Sequence, residues 1–312
     1  MKIVFLDRSS IGEDLDLSEF DALGDVVMYD FTYPEEAPER VKDADILVLN
    51  KTPVNAETIG CAEHLKLVCV TATGTNNLDK DYLKERGIEW RNVAGYSTES
   101  VAQHTFSLLF YLFEHLPYYD EYVKSGSYAG DRSFTHYAKV FHELNGKTWG
   151  IVGLGTIGKR VYEIAKTFGC KMQYVSTSGK NHNSDYNEVS FDELLRTSDI
   201  ISVHAPLDEN TKGLFNIDTF SKMKPDAIFL NLGRGPIVVE EDLCVALEKG
   251  MIGAAGLDVL SEEPMRKDSP FLRIKDSNRL FITPHIAWAS VEARERLMHI
   301  IADQIREFNK YS

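Results

Sequence analysis

The sequence is poor in the features that mark disulfide-rich, zinc-binding and membrane-spanning proteins. Only four of its 312 residues are cysteines, and neither a CxxC pair nor an HxxxH spacing occurs. A disulfide framework and a metal site are therefore not expected, and the cysteines are predicted to be buried thiols of a reducing compartment. No apolar run reaches bilayer-spanning length, and the first residues form a strand pattern without a signal-cleavage site. We expect a cytoplasmic protein with no membrane partner.

Positive charge is scarce as well. The chain has 34 Lys and Arg residues against 48 Asp and Glu residues, which gives a formal net charge of −14. This balance argues against nucleic acid or an anionic membrane as a partner. An anionic substrate would have to be held by few, local positive groups. The length is sufficient for two domains.

Residues 1–98 alternate short apolar runs with helix-like segments, for example 55–64 and 79–86, a pattern typical of a parallel sheet covered by helices on both faces. No glycine-rich phosphate turn occurs in this block, which is therefore better suited to hold a substrate than a nucleotide. Polar loops at 50–53 and 71–79 follow its third and fourth strands, where open α/β sheets bind ligands. Gly74 could offer backbone N–H groups to a carboxylate; the alternative is a plain turn of small polar residues. The predicted strands are 2–6, 26–29, 46–49, 67–70 and about 87–92.

A glycine turn with G-x-G-x-x-G spacing follows an apolar strand pattern in the middle of the chain. Gly153 permits the tight turn, Gly155 lets the backbone approach a pyrophosphate, and Gly158 lets the following helix pack closely on the strand. That helix begins near Thr156 and Ile157, and its N-terminal N–H groups suit phosphate. Glycine turns are common, but strand, turn, helix and strand in succession favour dinucleotide binding over a structural turn.

The acidic residue that usually binds the ribose of NAD is missing. The next strand ends at Val175 and continues into Ser176 and a short polar run to Lys180, with no Asp or Glu. A carboxylate there would repel a 2′-phosphate, whereas hydroxyls and a lysine would tolerate it. The cofactor is therefore NAD or NADP, and the pattern favours NADP. The alternative is that Ser176 only caps a loop and Lys180 is solvated.

Four further strands each deliver a polar residue at the carboxyl end. Arg234 lies between two glycines, which leaves its guanidinium free to bind a carboxylate by two parallel hydrogen bonds. A surface arginine paired with a local aspartate is the alternative. The strands are predicted at 199–203, 227–231, 254–258 and 280–283, and they lead into His204-Ala-Pro206, Arg234, Asp258 and His285.

His285 is the candidate proton donor and acceptor. An imidazole exchanges a proton near neutral pH, although a lone histidine beside apolar residues is more often structural. Glu263, at an adjacent strand end, would stabilise the imidazolium and fix the tautomer; Glu262 competes for this role. Arginine for a carboxylate, histidine with glutamate for a proton, and a nicotinamide together would interconvert 2-oxo and 2-hydroxy acids without a metal.

The remaining segments suggest how two domains are joined. A long apolar helix begins near residue 97, and residues 118–137 show no clear period and are interpreted as an irregular arm. A final helix, 290–308, has one apolar stripe and could return to the first domain. Hinges are therefore expected near 98–100 and 285–289.

The motifs GLGTIG, HAPL, NLGRGP, GLDVLSEEP and TPHIAWAS resemble, in order, those of the D-isomer-specific 2-hydroxyacid dehydrogenase family over essentially the whole chain. The resemblance implies an α/β protein with two Rossmann-like domains. A flavodoxin-like substrate domain (1–98 plus 286–312) would surround an inserted, doubly wound dinucleotide-binding domain (99–285). It also implies a homodimer through the cofactor domain. NKTPV, TATGTNNLD and IAWAS are most similar to the glycerate dehydrogenase, or hydroxypyruvate reductase, branch.

The resemblance also assigns residues. The family's catalytic arginine, glutamate and histidine fall on Arg234, Glu263 and His285, and its aspartate near the nicotinamide falls on Asp258. Ser176 departs from the usual aspartate, and Gln103 from a frequent glutamate. The other cofactor candidates are Gly153, Gly155, Thr156, Ile157, Gly158, Ser176, Lys180, His204 and Pro206, and the substrate candidates are Lys51, Thr73 and Gly74, with Arg234 and His285.

The expected activity is reversible hydride transfer between NAD(P) and a small 2-oxo or 2-hydroxy acid, with hydroxypyruvate and D-glycerate as the favoured pair. Phosphoglycerate dehydrogenase remains open, because Lys51 could bind a phosphate, although many such enzymes carry a C-terminal regulatory domain. Other 2-oxo acid reductases also remain. Glu263 disfavours formate dehydrogenases, which pair the histidine with glutamine. A non-enzymatic NAD(H)-sensing protein of the same fold is a further alternative.

Overall fold

A computed structural model describes residues 1–179 and 182–311 of the chain. The chain divides into two compact units. The first consists of Met1–Ser97 together with the chain from Trp288 onward, and the second is Thr98–Ala287.

The first unit contains a parallel sheet in the order β2-β1-β3-β4-β5. This is the strand order of flavodoxin-like folds, so the predicted fold class of this unit is confirmed. Its strands are β1 (Lys2–Phe5), β2 (Asp25–Met28), β3 (Ile46–Leu49), β4 (Leu67–Val70) and β5 (Glu89–Arg91). Its helices are α1 (Ala37–Val41), α2 (Ala56–Ile59), α3 (Lys80–Glu85) and the last helix of the chain, α10 (Val291–Tyr311), with 3₁₀ turns at Arg8–Ile11 and Ser18–Phe20.

Alternate side chains of this sheet enter two separate apolar clusters, one on each face. On one face, Phe5 and Val48 pack with Leu297 and Ile301 of α10. On the other, Val4 and Leu47 pack in a cluster that includes Leu83 of α3. Burial on both faces explains why these strands are continuous apolar runs. Because its apolar stripe packs on this sheet, α10 at the end of the chain belongs to the first unit.

The second unit contains a parallel sheet in the order β11-β10-β9-β8-β6-β7. Because β7 and β8 lie on opposite sides of β6, the sheet is doubly wound, as predicted. Its strands are β6 (Thr148–Val152), β7 (Lys171–Val175), β8 (Ile200–Val203), β9 (Ile228–Asn231), β10 (Ala254–Leu257) and β11 (Leu280–Ile282). Its helices are α4 (Thr98–Phe113), α5 (Leu116–Lys124), α6 (Thr156–Thr167), α7 (Phe191–Thr197), α8 (Ile217–Phe220) and α9 (Glu240–Glu248), with 3₁₀ turns at Tyr128–Gly130, Gly235–Ile237 and Pro270–Arg273.

Helix α4 packs directly on this sheet. A methyl group on Gly256 of β10 would lie 3.3 Å from both Leu108 and Leu112, so the absence of a side chain there allows the close approach. The fully buried indole of Trp149 contacts Phe106 of the same helix, with ring centroids 5.1 Å apart. The apolar character of α4 is therefore explained within its own unit.

The structure corrects three predictions about local structure. The helix expected at 55–64 is only the single turn α2, because Gly60 ends it. The arm expected to be irregular contains α5, none of whose nine residues is buried. Cys61 is exposed in the turn after α2, whereas the other three cysteines are buried.

The junctions of the units also differ slightly from the expected ones. Thr98, Ile286 and Ala287 belong to the second unit. The reason is local hydrogen bonding, since the N–H groups of Ile286 and Ala287 donate to Asp258, and Ser100 donates to the Ala287 carbonyl. In the described residues, none of the helices combines the length and the apolar character that crossing a bilayer requires.

Candidate active site

The carboxyl ends of the second unit's strands form one continuous, hydrogen-bonded edge. Backbone bonds extend past the strand ends from Gly153 to Val175, from His204 to Val152 and from Asp258 to Asn231, at 2.8 to 3.1 Å. His285 N–H likewise donates to the Asp258 carbonyl at 2.8 Å. The topology thus brings the predicted strand-end residues to one edge of a single sheet.

The structure joins His285 and Glu263 directly. His285 Nδ1 lies 2.6 Å from Glu263 Oε2, and the other carboxylate oxygen accepts the Leu260 N–H at 2.8 Å. Both oxygens of Glu263 are therefore oriented, and the carboxylate favours a proton on Nδ1. Nε2 is left as the ring nitrogen that can give or take a proton. The two side chains retain 28% and 32% of their exposure, so a small molecule can reach them.

His285 has an uncommon backbone conformation that Asp258 holds in place. Its φ of 56° lies in the left-handed region, which costs a non-glycine residue roughly 1–3 kcal/mol and persists only where neighbours fix it. The Asp258 carboxylate accepts the Ile286 and Ala287 N–H groups, each at 2.9 Å. With 2% exposure, Asp258 is a buried anchor of the turn that carries His285.

Arg234 follows β9 in a loop whose flanking residues must be glycine. A methyl group on Gly235 would lie 1.9 Å from the Leu260 carbonyl, and one on Gly233 would lie 2.8 Å from the Ala205 carbonyl oxygen. Arg234 Nη1 donates to the Gly233 carbonyl at 2.8 Å. Within the described part of the chain, its guanidinium forms no ion pair, so the alternative of a local aspartate partner does not hold there. The Arg234 guanidinium is therefore a half-buried positive charge that can bind an anion.

The three glycines of the turn after β6 meet three separate steric requirements. Gly153 has a φ of 94°, and a methyl group on it would lie 2.8 Å from the Ala205 backbone. A methyl group on Gly158 would lie 2.2 Å from the Gly153 carbonyl oxygen, whereas the space at Gly155 is open. Gly155 is also the N-cap of the twelve-residue helix α6. The first turn of α6, with Thr156 and Ile157, thus offers N–H groups beside an open approach, which fits a pyrophosphate.

His204 lies beside this turn as a neutral imidazole. Trp149 Nε1–H, which can only donate, bonds Ser202 Oγ at 2.9 Å, and that hydroxyl lies 3.0 Å from His204 Nε2. Burial lowers the pKa of His204 to about 3, so the ring is uncharged. The Ser202 hydroxyl accepts from Trp149 and can donate its own hydrogen to Nε2, which places the ring proton on Nδ1. Nδ1 is buried without a partner among the described residues, although the residue as a whole is partly exposed. An oxygen-rich ligand could satisfy such a donor.

Two of the remaining cofactor candidates can be located and one cannot. Ser176 is partly buried directly after β7. Pro206 is exposed, and its carbonyl accepts the Thr211 hydroxyl at 2.7 Å. Lys180 lies outside the described residues.

In the first unit, Asp7 organises the loop that carries Lys51, a role that sequence reasoning missed. The buried Asp7 carboxylate accepts the N–H groups of Asn50, Lys51 and Thr52 at 2.8, 2.8 and 3.2 Å. Asp7 follows β1 and the loop follows β3, so this is the switch point of the sheet, where ligands bind in such folds. The signal was a carboxylate directly after an apolar strand. The Lys51 side chain is exposed.

The loop containing Thr73 and Gly74 is fixed by two asparagines that were also missed. Asn92 donates to the Thr73 carbonyl at 2.7 Å, and Asn77 donates to the Thr52 carbonyl at 3.0 Å. The Thr73 hydroxyl donates to the Val93 carbonyl at 2.9 Å. The hydroxyl is thus used internally, so any ligand contact here would fall to the backbone. No group of His, Cys, Asp and Glu suited to a metal occurs among residues 1–179 and 182–311.

A doubly wound sheet with a glycine turn at its switch point, and an arginine and a histidine–glutamate pair along the same edge, defines a dinucleotide-dependent oxidoreductase. Residues 106–287 match the family model described as D-isomer specific 2-hydroxyacid dehydrogenase, NAD binding domain. The chain belongs to the D-isomer-specific 2-hydroxyacid dehydrogenase family, as its motifs predicted. It is therefore an enzyme that uses a nicotinamide cofactor on 2-hydroxy acids.

Several individual proteins are similar over nearly their whole length. A hydroxypyruvate reductase of Blautia hydrogenotrophica is 40% identical over 320 residues, with 100% of this chain and 98% of that protein covered. A glycerate dehydrogenase of Methylorubrum extorquens is 36% identical, with 97% and 93% covered. Among solved structures, an acyclic imino acid reductase in complex with NADPH and D-Arg superposes with a TM-score of 0.87 at 31% identity, covering 100% of this chain and 98% of that one.

Proposed function

We propose that this enzyme interconverts hydroxypyruvate and D-glycerate. The observation that carries the proposal is the hydrogen bond between His285 and Glu263, because it prepares one ring nitrogen for proton transfer. The names of the hydroxypyruvate reductase and glycerate dehydrogenase relatives, at 40% and 36% identity, support this substrate pair.

In the proposed reaction, the bound nicotinamide supplies the hydride that reduces the carbonyl carbon of the 2-oxo acid. His285 donates the proton from Nε2 to the carbonyl oxygen, and Glu263 stabilises the imidazolium before that transfer. Arg234 holds the substrate carboxylate and fixes which face of the carbonyl reacts. In the reverse direction, His285 takes the hydroxyl proton at the same nitrogen.

The residues proposed for the cofactor are the glycine turn with Thr156 and Ile157, the loop from His204 to Pro206, and Asp258. The first turn of α6 would bind the pyrophosphate. The buried His204 Nδ1–H would find an acceptor on the dinucleotide. Asp258 would act near the nicotinamide mainly through the turn that it anchors, since its carboxylate already accepts several donors.

In the first unit, the proposed substrate contacts are Lys51, Thr73 and Gly74. The exposed ammonium of Lys51 favours a second candidate substrate, a phosphorylated 2-oxo acid, which would make the enzyme a phosphoglycerate dehydrogenase. The backbone near Gly74 would meet the carboxylate, because the Thr73 hydroxyl is already bonded.

A substrate panel tests the proposal. Hydroxypyruvate, 3-phosphohydroxypyruvate, glyoxylate and pyruvate are assayed with NADH and with NADPH, and the values of kcat/KM are compared. We expect hydroxypyruvate to give the highest value. A higher value for the phosphorylated acid would instead support phosphoglycerate dehydrogenase. Tight cofactor binding without turnover of any 2-oxo acid would contradict the proposal and support a sensing role.

We propose further that NADPH is preferred to NADH, because Ser176 replaces the expected carboxylate; the NADPH complex of a 31% identical relative is consistent with this. Ser176→Asp should lower kcat/KM for NADPH by about 10–100-fold, since a carboxylate beside a 2′-phosphate costs roughly 1–3 kcal/mol in partly solvated surroundings. The measurement is the ratio of kcat/KM with the two cofactors. Ser221→Asp, at an exposed serine after α8, controls for added charge, and an unchanged ratio in Ser176→Asp would contradict the preference.

We also propose that the second unit forms a homodimer through the arm that follows α4. Its segment 116–141 exposes several apolar side chains, among them Phe134 at 88% and Tyr137 at 79%, more than a monomer usually leaves in water. The wild type should sediment at twice the 35.3 kDa chain mass, and Phe134→Asp/Tyr137→Asp should sediment as a monomer. Phe31→Asp, at an exposed aromatic of the first unit, is the control. An unchanged mass in the double variant would argue against this surface.

A further inference from the structure

A chain of hydrogen bonds connects α4 to the turn that carries His285. His104 Nε2 on α4 lies 2.9 Å from Thr283 Oγ1, which in turn lies 2.6 Å from Asp258 Oδ1. The same His104 nitrogen is 3.6 Å from that carboxylate oxygen. His104 and Thr283 were not singled out from the sequence, and neither has a part in the reaction proposed above.

The chemistry of the groups fixes the direction of these bonds. An ionised carboxylate can only accept, so the Thr283 hydroxyl donates its hydrogen to Asp258. The Thr283 oxygen can then accept from His104, which requires the hydrogen of the neutral ring to lie on Nε2. Both bonds therefore point towards the negative charge of Asp258, and the one to the carboxylate is of the stronger, charge-assisted kind.

Burial keeps the His104 ring in one protonation state. Asp258 is 2% exposed and the His104 side chain 19%. Burial lowers the pKa of His104, although the Asp258 charge opposes the shift, so the ring remains neutral near pH 7. The neutral ring is the form that donates a single, directed hydrogen to Thr283.

The Asp258 carboxylate fixes the backbone that follows His285 through hydrogen bonds. Its two oxygens accept the Ile286 and Ala287 N–H groups, and its carbonyl accepts the His285 N–H. These bonds hold the left-handed φ of His285, a conformation that costs a non-glycine residue free energy and persists where its neighbours fix it. A carboxylate free to rotate would loosen this turn, and with it the direction of the imidazole.

We propose that His104 and Thr283 are positioning residues, which hold the Asp258 carboxylate in the orientation that keeps His285 aimed for proton transfer. The inference rests on the proposed function, since it assumes that His285 is the proton donor. A displacement of about 1 Å at a reacting group can cost on the order of 100-fold in rate, so small losses of order should be measurable.

The test compares variants that keep or remove each hydrogen-bonding group. Thr283→Val keeps the shape but removes the hydroxyl, and Thr283→Ser keeps the hydroxyl. We expect Thr283→Val to lower kcat by about 10–100-fold, with little change in KM for hydroxypyruvate or in the dissociation constant of NADPH, and Thr283→Ser to restore most of kcat. His104→Leu should behave like Thr283→Val, and His104→Gln, which retains an N–H donor, should be milder.

A double variant separates this chain of bonds from independent packing effects. Because both residues act through one carboxylate, Thr283→Val/His104→Leu should lose little more kcat than either single variant. Ser107→Ala, at an exposed hydroxyl of the same helix, is the control. Fully additive losses, or equal losses in Thr283→Val and Thr283→Ser, would overturn the inference.

The two proposals fail in distinguishable ways. Wild-type kcat in Thr283→Val and His104→Leu, together with an inactive His285→Ala, would remove the positioning role and leave the proposed function intact. Wild-type kcat in His285→Ala would remove both. If Thr283→Val does not fold, the comparison of His104→Leu with His104→Gln decides by the same criteria.

Discussion

Replacement of His285 by alanine is expected to lower kcat for hydroxypyruvate reduction by about 10²–10⁴-fold, the usual contribution of a general acid. The physical reason is that Glu263 holds Nδ1 of His285 at 2.6 Å, which leaves Nε2 to give a proton to the substrate. The dissociation constant of NADPH should change little, because the glycine turn after β6 lies at the end of a different strand.

Single-turnover reduction and fluorescence titration with NADPH measure the two quantities separately. His299→Ala is a matched control, since His299 forms a similar pair with Glu19, at 2.7 Å, on the surface of the first unit. It should leave both quantities unchanged. Glu263→Gln should retain only part of the activity, because Nδ1 of His285 loses the carboxylate that orients the ring. Substantial turnover by His285→Ala would refute the assignment.

The sheets could be predicted because each buried parallel strand can be recognised from its own short stretch of sequence. Strands buried on both faces are short apolar runs, and the glycine turn marks where one of them meets a helix. Once the strands are known to be parallel, residues that follow them must share one edge. Arg234, Asp258 and His285 were therefore predictable together, although no pattern gives the distances between their side chains.

The residues that hold the site in place could not be predicted in the same way. Asp7 bonds a loop more than forty residues away, and His104 meets Thr283 across a sequence separation of 179 residues. Such contacts leave no periodic signal and look like ordinary polar positions of a helix or a loop. Helix α5 was missed for a different reason, since it is only nine residues long and none of its side chains is buried in a core.

Both units use a buried aspartate in the same way. Asp7 follows β1 and accepts N–H groups from the loop after the neighbouring strand β3. Asp258 follows β10 and accepts N–H groups from the turn after the neighbouring strand β11. In each sheet, a carboxylate at a strand end converts a loop that would otherwise have unpaired donors into a fixed one. Precise geometry at a loop then requires one buried charge rather than a larger core.

Replacement of Arg234 by alanine should cost about 3 to 4 kcal/mol of transition-state binding, or roughly 10²–10³-fold in kcat/KM. The guanidinium is half-buried, has no ion pair in the described residues and can offer two parallel N–H groups to a carboxylate. Arg234→Lys keeps the charge but loses the planar fork, so it should recover only part of the loss.

Steady-state kinetics across the 2-oxo acid panel distinguish a carboxylate-binding role from a structural one. If Arg234 binds the carboxylate shared by all these substrates, the loss should be similar for each, and millimolar guanidinium should restore part of the activity of the alanine variant. Arg266→Ala, which removes an exposed arginine paired with Asp268, should have no effect. A loss in Arg234→Ala that is confined to thermal stability, with kcat/KM unchanged, would show that the arginine serves the loop and not the substrate.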